Sequence, residues 1–206
     1  MERNQKPDII TGYYQQMLQT EEGPLLDWFV SHSRIVRKKK GTILFRPEAT
    51  VPFTAFLLDG IVKTYILSSD GTENTFAIYY KPGFPLVATK DMINIPGIWC
   101  KTLTDVTYIE MSGPGPYDLA PKFPELYPFL LQGIQPVYVG AMDKLRAATV
   151  MTAKERYLWF LKKYPALADR LPQVEVALFL GIQPQSLSRI RNELFEEEAS
   201  ALSEHA

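Results

Sequence analysis

The stretch Gln173–Phe195, QVEVALFLGIQPQSLSRIRNELF, most constrains how this chain folds. Its apolar positions predict two short helices joined by a tight turn. Gly181 stands where the end of the first helix needs a residue that tolerates positive φ. Pro184 stands at the start of the second helix, where its missing N–H costs nothing. The second helix must bury the face formed by Leu187, Ile190 and Leu194.

The opposite face of the second helix contains no acidic residue, and its donors suit base edges and phosphates. The order of small and apolar positions matches a DNA-binding helix-turn-helix with Pro184–Phe195 as the recognition helix. The candidate DNA-contacting residues are Pro184, Gln185, Ser188, Arg189, Arg191 and Asn192. An ordinary helical hairpin, with both arginines as solvated surface charge, is the alternative that this pattern leaves open.

Composition bounds the class of protein. The chain has 206 residues and 46% apolar content, enough for one large or two modest folded domains. No apolar run suits a membrane span, and the polar N-terminus does not resemble a signal peptide. A single cysteine, Cys100, suits a reducing cytoplasm, where we expect the protein to act. Two histidines, His32 and His205, are too few for a histidine-rich metal site, so we expect no metal.

The net charge of −1 does not indicate nucleic-acid binding, but its distribution is uneven. Residues 141–195 contain nine Lys or Arg against five Asp or Glu, a local charge of +4. The acidic tail, Glu196–Glu198 with Glu204, offsets that excess. We interpret the tail as a solvated, frayed end; competition with DNA for the recognition surface is the alternative.

The first half of the chain changes from helical to strand-like patterning. Residues 1–34 look helical and amphipathic, and Arg37–Lys40 indicates a solvated lead into a strand. The Asp-Gly pairs at 59–60 and 70–71 mark short turns between strands. The predicted strands are Thr42–Phe45, Ala55–Leu58, Ile61–Leu67, Asn74–Tyr80 and Trp99–Met111. Such a series predicts an antiparallel barrel or jelly roll that can hold a small ligand, hence an α+β chain.

From about Tyr117 the pattern is helical again. Apolar or aromatic residues recur in steps of four and three, as in a coiled-coil seam. The predicted dimer seam is Tyr127, Leu131, Ile134, Tyr138, Ala141, Leu145 and Ala148. A helix packed on its own barrel would give the same pattern. Pro136 lies inside the seam, where we expect a kink or a break. Thr152 and Glu155 form a capping box that predicts the start of another helix.

The order of these parts resembles the Crp/Fnr transcription regulators over roughly residues 12–195. Three segments carry the resemblance: Lys39–Glu73, Thr152–Pro165 and Leu180–Leu194. The resemblance implies a homodimer through the long helix, with two recognition helices on a near-palindromic DNA site. It also implies a small effector in the barrel that shifts the dimer between DNA-binding and non-binding arrangements. The resemblance leaves open whether RNA polymerase is a further partner.

Two departures concern the effector and the DNA-binding region. Residues 81–105 lack the Gly-Glu pair and the arginine of cyclic-nucleotide binders, and Asn94 or a neighbour replaces that arginine. We therefore expect no cofactor and an effector other than cyclic AMP. No two-strand wing follows Phe195, so phosphate contacts would come from elsewhere; the candidates are Lys162, Lys163, Arg170 and Arg191. Candidate pocket residues, which barrel packing alone would also explain, are Tyr79, Tyr80, Phe84, Trp99, Lys101 and Thr102.

The sequence therefore predicts a sensing domain (1–122), a dimerisation helix (123–150) and a helix-turn-helix domain with its tail (151–206). The predicted function is a dimeric, sequence-specific transcription regulator controlled by an unidentified small effector. The alternative is a ligand-binding or protein-interaction module whose DNA-binding region has lost its function. We expect no enzyme, because the sequence offers no nucleophile–base pair, phosphate-binding glycine loop or metal cluster.

Overall fold

The structure is a computed structural model that describes residues 9–47, 53–88 and 97–203. Two helices precede the first strand, which bears out the helical prediction up to Ser31, whereas Ser33 and Arg34, also predicted helical, already belong to that strand. The remaining helices follow the last strand. The helices are α1 (Ile9–Leu18), α2 (Pro24–Ser31), α3 (Pro116–Leu119), α4 (Leu126–Val150), α5 (Ala153–Lys163), α6 (Pro165–Ala168), α7 (Gln173–Leu180) and α8 (Pro184–Ser203).

The described strands form two antiparallel sheets, ordered β1-β8-β3-β6 and β2-β7-β4-β5. This is a jelly roll; the closed barrel that the sequence left open is wrong, because the strands divide between two sheets. The strands are β1 (Ser33–Lys38), β2 (Ile43–Phe45), β3 (Phe53–Asp59), β4 (Val62–Leu67), β5 (Glu73–Tyr79), β6 (Pro85–Ala88), β7 (Ile98–Thr102) and β8 (Val106–Met111).

The strand predictions need two corrections. The predicted strand Trp99–Met111 is two strands, β7 and β8, separated by residues 103–105. Strands β1 and β6 were not predicted. Strand β1 pairs with β8 from Ser33 opposite Met111 to Lys38 opposite Val106, and it lies at the edge of its sheet. Its three basic residues obscure the strand pattern, and charge of this kind is common on edge strands.

An aromatic cluster joins the N-terminal helices to the first sheet. Tyr14 of α1 is fully buried, and its ring lies 4.9 Å from Phe29 of α2 and 6.0 Å from Phe56 of β3. The Tyr14 hydroxyl shares a 2.7 Å hydrogen bond with the Ser33 hydroxyl, which satisfies this buried phenol. The two predicted amphipathic helices therefore cover one outer face of the jelly roll.

Helix α4 is continuous from Leu126 to Val150 with Pro136 inside it, so the predicted break is wrong. Pro136 lacks the N–H that would pair with the carbonyl of Gln132. Both residues are exposed, so water can satisfy that carbonyl. No helix among the described residues is both long and apolar enough to cross a membrane.

The chain divides into two compact units. The first contains residues 1–64 and 79–139, and the second contains residues 65–78 and 140–206. The distal part of the β4–β5 hairpin thus belongs to the same unit as the C-terminal helices, and the boundary within α4 falls between Val139 and Gly140. In the second unit α5 begins with the predicted capping box: the Thr152 N–H donates to Glu155 Oε2 (2.7 Å) and the Glu155 N–H donates to Thr152 Oγ1 (3.3 Å).

The two Asp-Gly turns differ in the space around their glycines. Gly60 has φ +101°, and a Cβ atom there would lie 2.5 Å from the Asp105 carbonyl oxygen and 2.6 Å from Val106 Cγ1. Gly71 has φ +83° but no other atom within 4 Å of a Cβ. Alanine at position 71 therefore meets only the backbone penalty, whereas alanine at position 60 also meets a clash.

We predict that Gly71→Ala lowers the free energy of unfolding by about 1 kcal/mol and that Gly60→Ala lowers it by about 3 kcal/mol or more. Chemical denaturation of the two variants and the wild type measures both values. Equal losses for the two substitutions would show that the neighbours of Gly60 move aside.

Candidate nucleic-acid interface

The turn between α7 and α8 has the backbone that the sequence predicts. Gly181 is left-handed, with φ 63° and ψ 41°, and ends α7. The Ile182 N–H donates to the Ala177 carbonyl at 3.0 Å, which satisfies one of the last carbonyls of that helix. The carbonyl of Gln183 accepts the N–H groups of Ser186 and Leu187, so α8 begins at Pro184. The predicted helix-turn-helix is therefore formed.

Burial fixes the orientation of α8 about its own axis. Leu187 is 1% exposed and Ile190 is 8% exposed, and α8 contacts α7, whose Val176 and Ala177 are buried. With 3.6 residues per turn, burying these two positions turns the opposite side of the helix outward. The predicted buried face is formed, although Leu194 is only half-buried.

The predicted DNA-contacting residues form the exposed side of α8. At 100° per residue, one sector of about 100° contains four of them, and Arg191 lies about 60° outside it. The four residues in this sector are Gln185, Ser188, Arg189 and Asn192. All six predicted residues, including Pro184 and Arg191, are exposed. The structure thus places amide, hydroxyl and guanidinium donors side by side near the N-terminus of a helix, where the helix dipole favours an anion.

The acidic tail is helical as far as the structure describes it. Helix α8 continues to Ser203, so the interpretation of residues 196–203 as a frayed end is wrong; Glu204 lies outside the described residues. Glu197 pairs with Lys154 of α5 at 2.6 Å and thereby ties the tail to the capped helix. Sequence reasoning missed this pair because its partners are 43 positions apart.

One of the residues predicted to contact DNA phosphates, Lys163, already has an acidic partner. The ammonium of Lys163 pairs with the carboxylate of Asp143 on α4 and lies 5.8 Å from the centroid of the Trp159 ring. Lys162, Arg170 and Arg191 are exposed. These three residues are therefore better placed than Lys163 to meet a phosphate.

The predicted effector residues do not share one wall of the jelly roll. Along β7, Ile98, Cys100 and Thr102 are buried while Trp99 and Lys101 are half-buried, which is the alternation of a strand with two different faces. Trp99 lies under the guanidinium of Arg46, whose carbon is 5.6 Å from the ring centroid. The face of β7 that carries Trp99 and Lys101 is thus opposite to the face that enters the core with Cys100.

The remaining pocket candidates have structural contacts. Tyr79 packs against the core around Cys100, and its ring lies 5.0 Å from that of Phe84. The Thr102 hydroxyl donates to the Lys39 carbonyl at 2.8 Å and accepts the N–H of Thr42. Burial raises the pKa of the Tyr79 phenol and of the Cys100 thiol, so both are neutral at pH 7. Tyr80 is half-buried, and Asn94 lies outside the described residues.

The predicted dimer seam remains open to solvent along α4. In the first unit, Leu131 and Tyr138 are 66% and 62% exposed, with Tyr127 and Ile134 also exposed. In the second unit, Leu145 is 59% exposed, Ala148 is exposed and Ala141 is half-buried. The seam is accordingly an apolar strip that the described part of the chain leaves largely uncovered.

No protein-family model and no curated protein matches this sequence. Solved structures do match. A regulator of the Crp/Fnr family from Eubacterium rectale is 14% identical, with a TM-score of 0.74 over 90% of this chain and 88% of its own. A CooA mutant from Carboxydothermus hydrogenoformans is 18% identical, with a TM-score of 0.67 over 89% and 84%. The c-di-GMP-responsive regulator CLP from Xanthomonas campestris is 17% identical, with a TM-score of 0.66 over 84% and 91%.

These similarities establish the class of fold. The chain has a Crp/Fnr-like fold: a jelly roll of two antiparallel sheets, a long helix and a C-terminal helix-turn-helix. This confirms the resemblance seen in the sequence at the level of the fold. At these identities the roles of individual residues have to be argued from the chain itself.

The packing of α8 makes a stability prediction that separates its two faces. We predict that Leu187→Ala lowers the free energy of unfolding by about 2–5 kcal/mol, because it leaves a cavity against α7. Gln185→Ala, on the exposed face, should change it by less than about 0.5 kcal/mol. Chemical denaturation of both variants checks this; a comparable loss for Gln185→Ala would contradict the orientation of α8.

Proposed function

We propose that this protein is a sequence-specific DNA-binding transcription regulator of the Crp/Fnr type that acts in the cytoplasm as a homodimer. The observation that carries the proposal is the exposed sector of α8 between Gln185 and Asn192, where Gln185, Ser188 and Asn192 surround Arg189 and no acid intervenes. The left-handed Gly181 and the buried Leu187 hold that sector outward. The similarity of the fold to the regulator CLP and to the Crp/Fnr regulator from Eubacterium rectale supports the same conclusion.

Each exposed group has a chemical counterpart in the major groove. The Arg189 guanidinium suits the two acceptors of a guanine, and the amides of Gln185 and Asn192 suit the donor–acceptor pair of an adenine. Ser188 donates to a neighbouring base or phosphate. Pro184 sets the start of the helix, and the exposed cations at 162, 170 and 191 neutralise phosphates. Few such cations predict a shallow dependence of affinity on salt.

Two copies joined along α4 would present two recognition helices to one DNA molecule. The exposed seam has the spacing of a coiled-coil contact, and a second copy of the same strip is its natural complement. Such a dimer would read a near-palindrome whose half-sites lie about one helical turn apart. RNA polymerase is the further partner expected of a regulator that acts at a promoter.

We further propose that the jelly roll binds a small effector other than cyclic AMP. The described part of residues 81–105 supplies no arginine for a phosphate, and Tyr79 and Cys100 are neutral at pH 7. A ligand seated against them would be uncharged on that side. Two groups of predicted pocket residues remain candidates for contacting the effector. Tyr79 and Phe84 lie on the core side, and Trp99 and Lys101 lie on the opposite face of β7.

We predict that Arg189→Ala lowers operator affinity about 5- to 150-fold and relaxes specificity at one base pair, because a bidentate contact to guanine is lost. The operator comes from selection of random double-stranded DNA on the purified protein, and fluorescence anisotropy gives the affinities. Arg37→Ala is the matched control, because Arg37 is an exposed arginine on the edge strand β1. Wild-type affinity and specificity in Arg189→Ala would refute the assigned role.

We predict that Leu131→Glu converts the dimer to a monomer, since it places a carboxylate at the most exposed large apolar position of the predicted seam. Sedimentation equilibrium measures the change. Leu158→Glu, at an exposed leucine on α5 outside the seam, should leave the dimer intact. A dimeric Leu131→Glu protein would mean that self-association uses another surface.

A second candidate function is a ligand-binding or protein-interaction module that does not bind DNA. The helical continuation of α8 with Glu196 and Glu197 exposed favours it, because these carboxylates repel phosphates. Retention on bulk DNA at low salt discriminates between the two candidates. Retention that falls as salt is raised supports the regulator, and no retention at low salt supports the module.

A further inference from the structure

Lys144 of α4 lies where three elements of the second unit meet. Its side chain is half-buried, and its ammonium donates hydrogen bonds to the backbone carbonyls of Thr75 and Phe76 on β5, the latter at 3.1 Å. Hydrogen bonds from a charged donor are among the stronger ones in proteins. One side chain of the long helix therefore holds the distal part of the β4–β5 hairpin.

The same ammonium lies over an aromatic ring of the helix-turn-helix. Lys144 Nζ is 4.7 Å from the ring centroid of Phe179 on α7, which is within cation–π distance. Phe179 is buried, and its ring packs 5.8 Å from Phe160 and 5.7 Å from Tyr164. The hairpin and α7 thus both contact the ammonium of Lys144.

The residue next to Lys144 in the chain, Asp143, holds a different element. Asp143 pairs with Lys163 near the end of α5, so two adjacent residues of α4 hold two different elements. This pair occupies the nearest carboxylate on α4, and the ammonium of Lys144 has carbonyl oxygens and a ring as its partners. Burial lowers the pKa of Lys144 to about 8, so the side chain is charged at pH 7.

We propose that Lys144 is a positioning residue that couples the β4–β5 hairpin to the helix-turn-helix. A displacement of the Thr75 and Phe76 carbonyls moves the ammonium, and the ammonium moves Phe179 and with it α7. Helix α7 is the surface on which α8 packs, so the displacement reaches the recognition face. The consequence for DNA depends on the proposed function, whereas the coupling itself does not.

Strand β5, which Lys144 contacts, also contains Tyr79, one of the predicted pocket residues. Strand β5 is continuous from Glu73 to Tyr79, and Tyr79 contributes to the core of the jelly roll. The carbonyls bound by Lys144 lie three and four residues before Tyr79 on that strand. A ligand that moved Tyr79 would therefore act on Lys144 through the main chain of β5.

Hydrogen exchange on the full-length protein tests the coupling without DNA or effector. The probe is Gly71→Ala, which strains the hairpin tip where a Cβ contacts no other atom. Four proteins are compared: wild type, Gly71→Ala, Lys144→Met and the double variant. We expect Gly71→Ala to raise exchange about tenfold in both β5 and α7 when Lys144 is present, and in β5 alone when it is absent. Equal responses of α7 in both backgrounds, or none in either, would overturn the proposal.

Two controls separate coupling from simple loss of structure. Lys154→Met removes another lysine of the second unit, one that pairs with Glu197, and should leave the response of α7 unchanged. Lys144→Arg keeps a charged donor and should restore part of the response. Unchanged exchange in α5, which belongs to the second unit, shows that this unit of a variant is folded.

Operator affinity of the same four proteins separates this inference from the proposed function. We expect Lys144→Met to weaken DNA binding about fivefold to tenfold, because α7 loses its anchor. A wild-type protein that binds no DNA would refute the proposed function and leave the exchange result to decide the coupling. DNA binding with no coupling in the exchange experiment would refute only the coupling.

Discussion

The packing of α8 on α7 is the constraint on which the candidate interface depends. Because Leu187 and Ile190 are buried, the geometry of the helix fixes which side chains face outward. The left-handed Gly181 sets the direction in which α8 leaves the turn. Helix α7 is in turn held by Phe179 in a cluster of aromatic rings. The recognition surface therefore depends on residues that a DNA molecule would never touch.

Charge along α8 limits how much of the helix can enter a groove. The cations at 189 and 191 lie in its first half, and the carboxylates at 196 and 197 lie in its second half. From Pro184 to Asn192 the helix rises about 12 Å, which is about the width of the major groove. Phosphates would attract the first half and repel the second, so the tail favours entry by the N-terminal turns. The Lys154–Glu197 pair links this acidic half to α5.

The parts of the fold that could be predicted from the sequence are those specified by local chemistry. The Thr152–Glu155 capping box, the turn at Gly181 and the two Asp-Gly turns each need only a few neighbouring residues. Strand β1 could not be predicted, because its basic residues are stabilised by an edge position that depends on pairing with β8, far along the chain. The break predicted at Pro136 was wrong for a related reason. The free-energy cost of the proline depends on whether the Gln132 carbonyl can reach water, and that depends on the folded structure.

The exposed face of α8 could be predicted because an α-helix repeats every 3.6 residues. The contacts of Lys144 could not be predicted, because the carbonyl groups that it binds lie 69 and 68 positions away and carry no side-chain signature. Those carbonyls nevertheless lie on the same strand as Tyr79. Because a strand is already nearly extended, it cannot lengthen much, and a displacement of Tyr79 along the strand axis also displaces the carbonyls. An effector that displaced Tyr79 would thus need no change in side-chain packing along the way. If both proposals hold, the identity of the effector can vary with the lining of the jelly roll while the route through β5 and Lys144 to α7 and α8 stays the same.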